Sequence, residues 1–347
     1  AAVPMQLRVG TGRAKITPAS IAGDSRFKGV HDDTFVRVIA FDDGEKKALL
    51  IAAETQNTPN ALWDEMVKRI NAKTGIPPEY IMMSSVHTHS GPPMNAFFKE
   101  QMSAAVAAAI GNLHPAKIGA GKGESLMNIS RRARAATGGS WLGKNPYAPC
   151  DHEVGVMRID NEQGNPVSMM VNWPAHAVLN WPQPKLYSGD WPGAASRFLE
   201  QQWKGIDVPV TVGASGDINP LLWAPYPSDD KFDAETTGQD AKIDVIAITG
   251  MYVGEEAARV AAEIVTYPGG RISAIQRDLI LPGKKRFSTR MPNQEIVQGD
   301  DLHVRLSALK VGNIVFAGIG GEVMTEIGMH LKQRSPFRNT FVVTHCN

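Results

Sequence analysis

Short apolar runs typical of β-strands alternate with helical patterns along the 347 residues, and this alternation constrains the fold more than any other feature. Strand-like runs are present at residues 35–41, 47–53, 80–84, 116–118, 154–159, 166–172, 208–212, 272–281, 302–309, 314–317 and 340–343. Helical patterns are present at 61–73, 98–113, 191–203, 245–265 and 323–331. Interleaved strands and helices predict an α/β fold, a mixed sheet with helices on its faces.

Composition excludes several classes of function. The chain has 36 basic and 35 acidic residues, a net charge of +1 and no Lys/Arg-rich tract, which argues against nucleic-acid binding. No apolar run approaches the roughly 20 residues that a membrane-spanning helix needs, although contact with a lipid surface remains open. The start, Ala1-Ala2-Val3-Pro4, is typical of a mature end after signal-peptide removal, which predicts a secreted or periplasmic protein, although residues left by an expression vector could look the same.

Cysteine usage leaves two alternatives. Cys150 and Cys346 are far apart in sequence and do not have the spacing of a zinc cluster. In an exported protein they could form a disulfide, but cysteine is also a common buried apolar residue.

Two histidines mark the first candidate site. His87 and His89 come directly after the apolar run Tyr80-Ile81-Met82-Met83 and before a Gly-Pro break, where a strand gives way to a loop. Ligands of α/β proteins bind at the carboxyl ends of strands. On an extended chain, alternate side chains point to the same side, so both rings could serve one site. Metal binding and a hydrogen-bonded structural pair are both open.

Two further residues could complete a metal site. His176 falls just beyond the strand-like run 167–171, and a third histidine would complete a zinc set if the two strands are neighbours. Glu322 follows the glycine-rich segment 318–321 and opens a predicted helix. A carboxylate there could be a ligand or could simply complement the helix dipole.

Polar residues in other turns are weaker candidates. Asp217 and Asn219 lie in a Gly-Asp turn, for which an ordinary turn role is the alternative. Arg131 and Arg132 follow a predicted strand, where a guanidinium in a pocket could polarise a carbonyl. No Gly-x-Ser-x-Gly elbow is present, which argues against a Ser-His-Asp enzyme, although Ser215 and the histidines leave that alternative open.

Six segments, in order, resemble the neutral, non-lysosomal ceramidase family of zinc amidases. They are Val9-Gly10-Thr11-Gly12-Arg13-Ala14-Lys15-Ile16-Thr17-Pro18, His31-Asp32-Asp33 with Phe35-Val36-Arg37-Val38, Ser85-Val86-His87-Thr88-His89-Ser90-Gly91-Pro92, Asn172-Trp173 with His176 and Ser188-Gly189-Asp190, Gly216-Asp217-Ile218-Asn219-Pro220, and Gly321-Glu322. The resemblance implies a single catalytic domain spanning residues 1–347, with a zinc site at strand ends.

Site roles carried over from the family fall on seven positions. The resemblance implies that His87, His176 and Glu322 bind zinc and that His89 and Arg131 act beside the substrate carbonyl. It also implies substrate binding by Asp217 and Asn219. The implied activity is zinc-dependent hydrolysis of an amide (N-acyl) bond by metal-activated water, with ceramide-like lipids as substrates in sphingolipid metabolism.

The sequence also departs from the family pattern. Asn219 replaces a serine, and the chain ends at Asn347 before the family's tyrosine ligand, so the domain is expected to be incomplete at its C-terminus. The family carries a C-terminal immunoglobulin-like domain, and no segment of residues 1–347 is expected to form one. A zinc esterase or amidase acting on a smaller, non-sphingolipid substrate is the first alternative. A non-catalytic binding module that retains the fold is the second.

Aromatic residues could line a pocket for an acyl chain. Loops rich in Pro, Gly and Asp are predicted at residues 137–149 and 220–239, and they are long enough to form a site. Trp181, Trp191, Trp223 and Tyr226 lie in or beside proline-rich loops. A large apolar pocket uses such side chains. Ordinary packing of the loops is the alternative.

Overall fold

The computed structural model describes residues 6–21, 24, 26–136, 138–180, 186–223, 244–285 and 296–346. The strands in these ranges are β1 (Arg8–Lys15), β2 (Gly29–Val30), β3 (Phe35–Asp42), β4 (Lys47–Ala53), β5 (Ile81–Ser85), β6 (His114–Glu124), β7 (Asn128–Arg134), β8 (Ser140–Asn145), β9 (Glu153–Asn161), β10 (Pro166–Trp173), β11 (Leu186–Tyr187), β12 (Val210–Val212), β13 (Ile218–Pro220), β14 (Tyr267–Pro268), β15 (Ile272–Leu281), β16 (Lys284–Lys285), β17 (Val297–Gln298), β18 (Leu302–Val311), β19 (Ile314–Ile319) and β20 (Asn339–Thr344). The helices are α1 (Asn60–Thr74), α2 (Ala96–Gly111), α3 (Asp190–Gln202), α4 (Val245–Glu263) and α5 (Thr325–Arg334).

The largest sheet is mixed, as the sequence predicts. Its strands run in the order β12-β10-β9-β6-β1-β3-β4-β5, and β14 pairs with β6. β4 and β5 are parallel, as are β10 and β12, whereas the neighbours between them are antiparallel. All the predicted strands and helices are present within about three residues, except that β6 extends to Glu124.

Helices cover one face of this sheet because glycines let them approach closely. A Cβ atom on Gly12 of β1 would lie 2.1 Å from the Ala105 carbonyl oxygen of α2. Gly121 of β6 packs in the same way against Val260 of α4. Small residues on the strands thus allow α2 and α4 to bury their apolar sides against the sheet.

A second sheet, in the order β15-β18-β19-β20, covers the other face. Gly155 of β9 lies against the Phe341 ring of β20. Its register partner is Lys122, so its position faces away from the side on which Gly121 meets α4. The sequence analysis did not predict that the strands of residues 272–343 form a packed sheet of their own.

The carboxyl ends of four strands, β5, β10, β19 and β20, lie close together. Parallel pairing of β19 with β20 brings both ends together, and an isolated bridge joins Ser84 of β5 to Cys346 beyond β20. Asn172 near the end of β10 donates to the Val342 carbonyl of β20. The loops that follow β5, β10, β19 and β20 therefore meet at one edge.

The sequence analysis did not predict β7 and β8, which are rich in polar residues. β7 contains Asn128, Ser130 and two arginines, and β8 forms within the predicted loop 137–149. Arg131 and Arg132 therefore lie within a strand and not after one. Polar strands lack the apolar periodicity on which the prediction depends. Most of the predicted loop 220–239 lies outside the described residues.

The structure bears on the predictions for the two cysteines, the loop aromatic residues and membrane-spanning helices. Cys150 and Cys346 are free, so the disulfide alternative is wrong. Trp191 and Trp223 are buried in the core, which favours packing over a pocket lining, and Trp181 and Tyr226 lie outside the described residues. Among the helices of the described ranges, none is long and apolar enough to cross a membrane.

Candidate metal centre

Three histidines from two loops converge at this edge of the fold. One ring nitrogen from each of His87, His89 and His176 lies within 4.8 Å of the others. Glu322 joins them: its Oε1 lies 3.4 Å from Nε2 of His87, and its Oε2 lies 3.3 Å from Nε2 of His176. The structure thus brings together all the residues that the sequence suggested as metal ligands.

His87 reaches the cluster through an unusual backbone conformation. β5 ends at Ser85, and His87 has φ of 62°, a left-handed conformation that is uncommon outside glycine. The two rings therefore share a site because the chain turns, and not because they alternate along a strand, so the argument from strand geometry is wrong. Backbone strain of this kind clusters at functional sites.

Backbone carbonyls fix the tautomers of two histidines. Nδ1 of His87 lies 2.7 Å from the Gln56 carbonyl oxygen, and Nδ1 of His176 lies 2.6 Å from that of Ser215. A carbonyl only accepts, so each Nδ1 carries the proton. Each Nε2 is left with a lone pair, the state in which histidine binds metal.

Glu322 lies in the loop between β19 and α5. The loop turns at Gly321, whose φ is 97°, and α5 begins only at Thr325. Glu322 therefore does not open the helix, as the sequence had suggested, and the alternative role of complementing the helix dipole loses its basis. The Glu322 side chain is 46% exposed, the most accessible of the possible ligands.

Arg131 is aimed at the cluster by an irregularity in β7. The pairing of β7 with β8 shifts register between Ser130 and Arg132, and such bulges redirect side chains. Nη2 of Arg131 donates to Oε2 of Glu322 at 3.0 Å and to the Gly216 carbonyl at 2.7 Å. No described residue accepts a hydrogen bond from its Nη1.

Donor spacing fits a zinc ion. Zinc–nitrogen bonds of 2.0–2.1 Å in a tetrahedron put neighbouring donors roughly 3.3–3.4 Å apart. The contacts of Glu322 with His87 and His176 are 3.4 and 3.3 Å, and Nε2 of His89 lies 3.3 Å from Nε2 of His87. Imidazole and carboxylate donors also suit zinc chemically. His87, His89 and His176 can hold a metal ion, and Glu322 lies within the same spacing.

The surroundings disfavour the charged forms of His89 and His176 and favour the charged form of Glu322. Burial and the neighbouring His87 and His176 rings lower the pKa of His89 to about 3. Burial and the Arg131 charge lower the pKa of His176 to about 4. The Arg131 guanidinium, whose Nη2 lies 3.0 Å from Oε2 of Glu322, favours the charged form of that carboxylate. Lone pairs and negative charge are what a cation requires.

Asp217 and Asn219 lie beside the cluster in different settings. Oδ1 of Asp217 accepts from the Thr325 backbone N–H, and so caps α5. Asn219 is buried on β13, and its Oδ1 has no hydrogen-bond partner among the described residues. The hydrogen bond of Asp217 does not involve the imidazole cluster. Substrate binding by Asp217 and Asn219 stays a prediction.

The segment 215–218 surrounds the site with main-chain groups. Its carbonyls accept from Nδ1 of His176 and from Arg131, and the Gly216 N–H donates to the Val323 carbonyl beside Glu322. Sequence analysis missed this role, and that of Gln56, because a backbone carbonyl leaves no residue-type signal. It also missed His345, whose ring stacks on His87.

Comparisons with known proteins identify the fold. No family model matches the chain, and no curated protein sequence does. Among solved structures, a ceramidase complexed with C2 aligns with a TM-score of 0.78 and 14% identity, over 99% of this chain and 68% of that one. Neutral ceramidase from Pseudomonas aeruginosa aligns with a TM-score of 0.74, at the same identity and coverage. The chain therefore has the fold of the neutral ceramidases.

Proposed function

We propose that the protein is a zinc-dependent hydrolase that cleaves an amide (N-acyl) bond. The observation that carries the proposal is the pair His87 and His176, each with its Nδ1–H bonded to a carbonyl and its Nε2 3.3–3.4 Å from Glu322. These three residues would hold the ion. A bound zinc ion supplies Lewis acidity, which lowers the pKa of water towards about 7 and polarises a carbonyl.

Arg131 would stabilise charge on the substrate. Its contacts with Glu322 and Gly216 orient the guanidinium, and they leave Nη1 without an acceptor among the described residues. In amide hydrolysis the carbonyl oxygen becomes negative as water adds to the carbon. A donor already oriented towards that oxygen lowers the barrier because it does not have to reorganise.

His89 would carry the proton. Burial and then the neighbouring His87 lower the pKa of His89, so its ring is neutral near pH 7, which is the state from which a general base acts. The proton would come from the attacking water and pass to the leaving nitrogen as the C–N bond breaks. The products are then a carboxylic acid and an amine, which balances the reaction.

The substrate class rests on the fold together with the site. The structural neighbours are named ceramidases, and ceramide is an N-acylated lipid. We therefore propose a lipid amide, with the acyl carbonyl directed at Arg131. A smaller amide or an ester would use the same residues, so the experiment must separate these substrates.

The test measures metal content and hydrolysis together. Purified protein is stripped with a chelator, reloaded with Zn²⁺, and assayed on ceramide, on a short N-acyl amine and on a short ester. We expect about one zinc per chain and chelator-sensitive release of fatty acid from ceramide. Glu322→Gln keeps the size of the side chain but removes its charge, so it should lose zinc and activity together.

Two outcomes would contradict the proposal at different levels. Hydrolysis of the short ester but not of either amide would remove the amidase assignment and leave a zinc esterase. Zinc binding without turnover of any substrate would favour a binding module that retains the fold.

A further inference from the structure

His345 contacts the candidate metal centre in a way that none of the roles above explains. Its ring stacks face to face on that of His87, with ring centroids 3.8 Å apart and planes 8° from parallel. The residue is only 6% exposed, and its Nε2 has no hydrogen-bond partner among the described residues. An unpaired buried nitrogen costs free energy, so hydrogen bonding by this nitrogen does not account for a histidine here.

The backbone of His345 ties together the two loops that carry predicted ligands. Its N–H donates to the Gly321 carbonyl at 3.2 Å, next to Glu322, and its carbonyl accepts from the Ser85 N–H at 3.1 Å. Its φ of 50° is left-handed, which holds the side chain over His87. Main chain and side chain therefore both converge on the cluster.

Ring geometry excludes His345 as a fellow ligand of His87. The lone pair of a ring nitrogen lies in the plane of the ring. Two rings that are stacked within 8° of parallel direct their lone pairs along separate planes, so the lone pairs cannot meet at one ion. His345 therefore acts on His87 through the contact between the faces of the two rings.

We propose that His345 is a positioning residue that holds the ring of His87 in the orientation that binds metal. The bond from Nδ1 to Gln56 fixes one edge of the His87 ring but not its tilt. A flat ring 3.8 Å away fixes the tilt and keeps Nε2 directed towards Glu322. The inference rests on the proposed metal centre, and it concerns the affinity for metal and not the choice of substrate.

Two substitutions separate the stacked ring from its nitrogens. His345→Asn removes the ring but tolerates a left-handed backbone, and His345→Phe keeps a flat ring without nitrogen. Apoprotein is titrated with Zn²⁺ in competition with a chromophoric chelator. Because loss of an outer partner typically costs about 10–100-fold in metal affinity, we expect at least a roughly 10-fold loss for the asparagine variant. The phenylalanine variant should stay within about threefold of wild type.

Controls keep this test independent of folding and of catalysis. His303→Asn changes an exposed histidine on β18 and should leave the zinc affinity unchanged. Melting curves of the apoproteins show whether each variant folds, and His345→Leu provides a second ringless side chain if the asparagine variant does not. The visible spectrum of bound Co²⁺ should shift in the ringless variants and stay unchanged in His345→Phe.

Three results would overturn the inference. Equal zinc loss in the asparagine and phenylalanine variants would assign the effect to a ring nitrogen, and unchanged affinity in both would show that the stack does not matter. Either result leaves the proposed function intact. Wild-type protein that binds no zinc would overturn both proposals.

Discussion

The substitution Asp190→Asn should make the free energy of unfolding less dependent on pH. Asp190 is fully buried at the start of α3, and its carboxylate accepts from the backbone N–H groups of Asn180 and Trp191. Burial outweighs these hydrogen bonds and, with the nearby Asp32 charge, raises the pKa of Asp190 from 3.8 to about 7. The folded protein therefore holds a proton that the unfolded chain releases.

The sign and size follow from linkage between proton binding and folding. Below the unfolded pKa, both states are protonated and pH has no effect through this group. As pH rises from about 4 to about 7, only the unfolded state ionises, so the unfolding free energy falls by about 1.4 kcal/mol per pH unit. Over the roughly three units of the shift, the loss reaches about 4 kcal/mol.

Urea unfolding followed by tryptophan fluorescence measures this loss. Wild type and Asp190→Asn are compared at several values between about pH 4.5 and pH 7.5 in chelator, which removes linkage to metal. Asparagine tolerates the left-handed φ of 52° at this position, but one backbone donor loses its acceptor, a cost that does not vary with pH. The difference in unfolding free energy, wild type minus variant, should therefore fall steadily with pH. Parallel curves would refute the reasoning.

Further predictions concern the site and the sheet. His87→Ala should lose metal and activity together, whereas His89→Ala should keep metal and lose rate; equal metal loss, measured by elemental analysis, would make His89 a ligand. Arg131→Met should lower kcat by about 10²–10³ with zinc content unchanged, and an effect on KM alone would contradict its role at the oxyanion. Gly12→Ala should destabilise the protein by about 1–3 kcal/mol in urea unfolding, because the new methyl group meets the Ala105 carbonyl, and an unchanged midpoint would count against close packing of α2.

The sequence predicted the regular elements well because apolar periodicity marks them directly. The run 272–281 coincides with β15, and the prediction for 47–53 coincides with β4. The second sheet was not predicted, since periodicity identifies a strand but not its partners. Strand pairing depends on contacts between residues far apart in the chain.

The candidate site could be predicted in part because metal-ligating residue types directly follow predicted strands in the sequence. His87, His176 and Glu322 each follow a strand and lie together, although their metal-binding roles stay predictions. The reason given for pairing His87 with His89 was wrong because φ of 62° at His87 breaks the extended chain. Local composition does not reveal a positive φ at a residue other than glycine, nor the carbonyls that fix the imidazole tautomers.

The contacts at and beside the metal centre constrain the order in which the protein folds. Contacts at the metal centre join residues far apart in the chain: Arg131 and Glu322 are 191 positions apart, and Ser84 and Thr344 are 260 positions apart. Closing such long loops is slow, so these contacts are expected to form late in folding. We expect the proposed ligands His87, His176 and Glu322 to come together only when β20 docks against β5 and β10. Uptake of metal through this set would then report that β20 has docked.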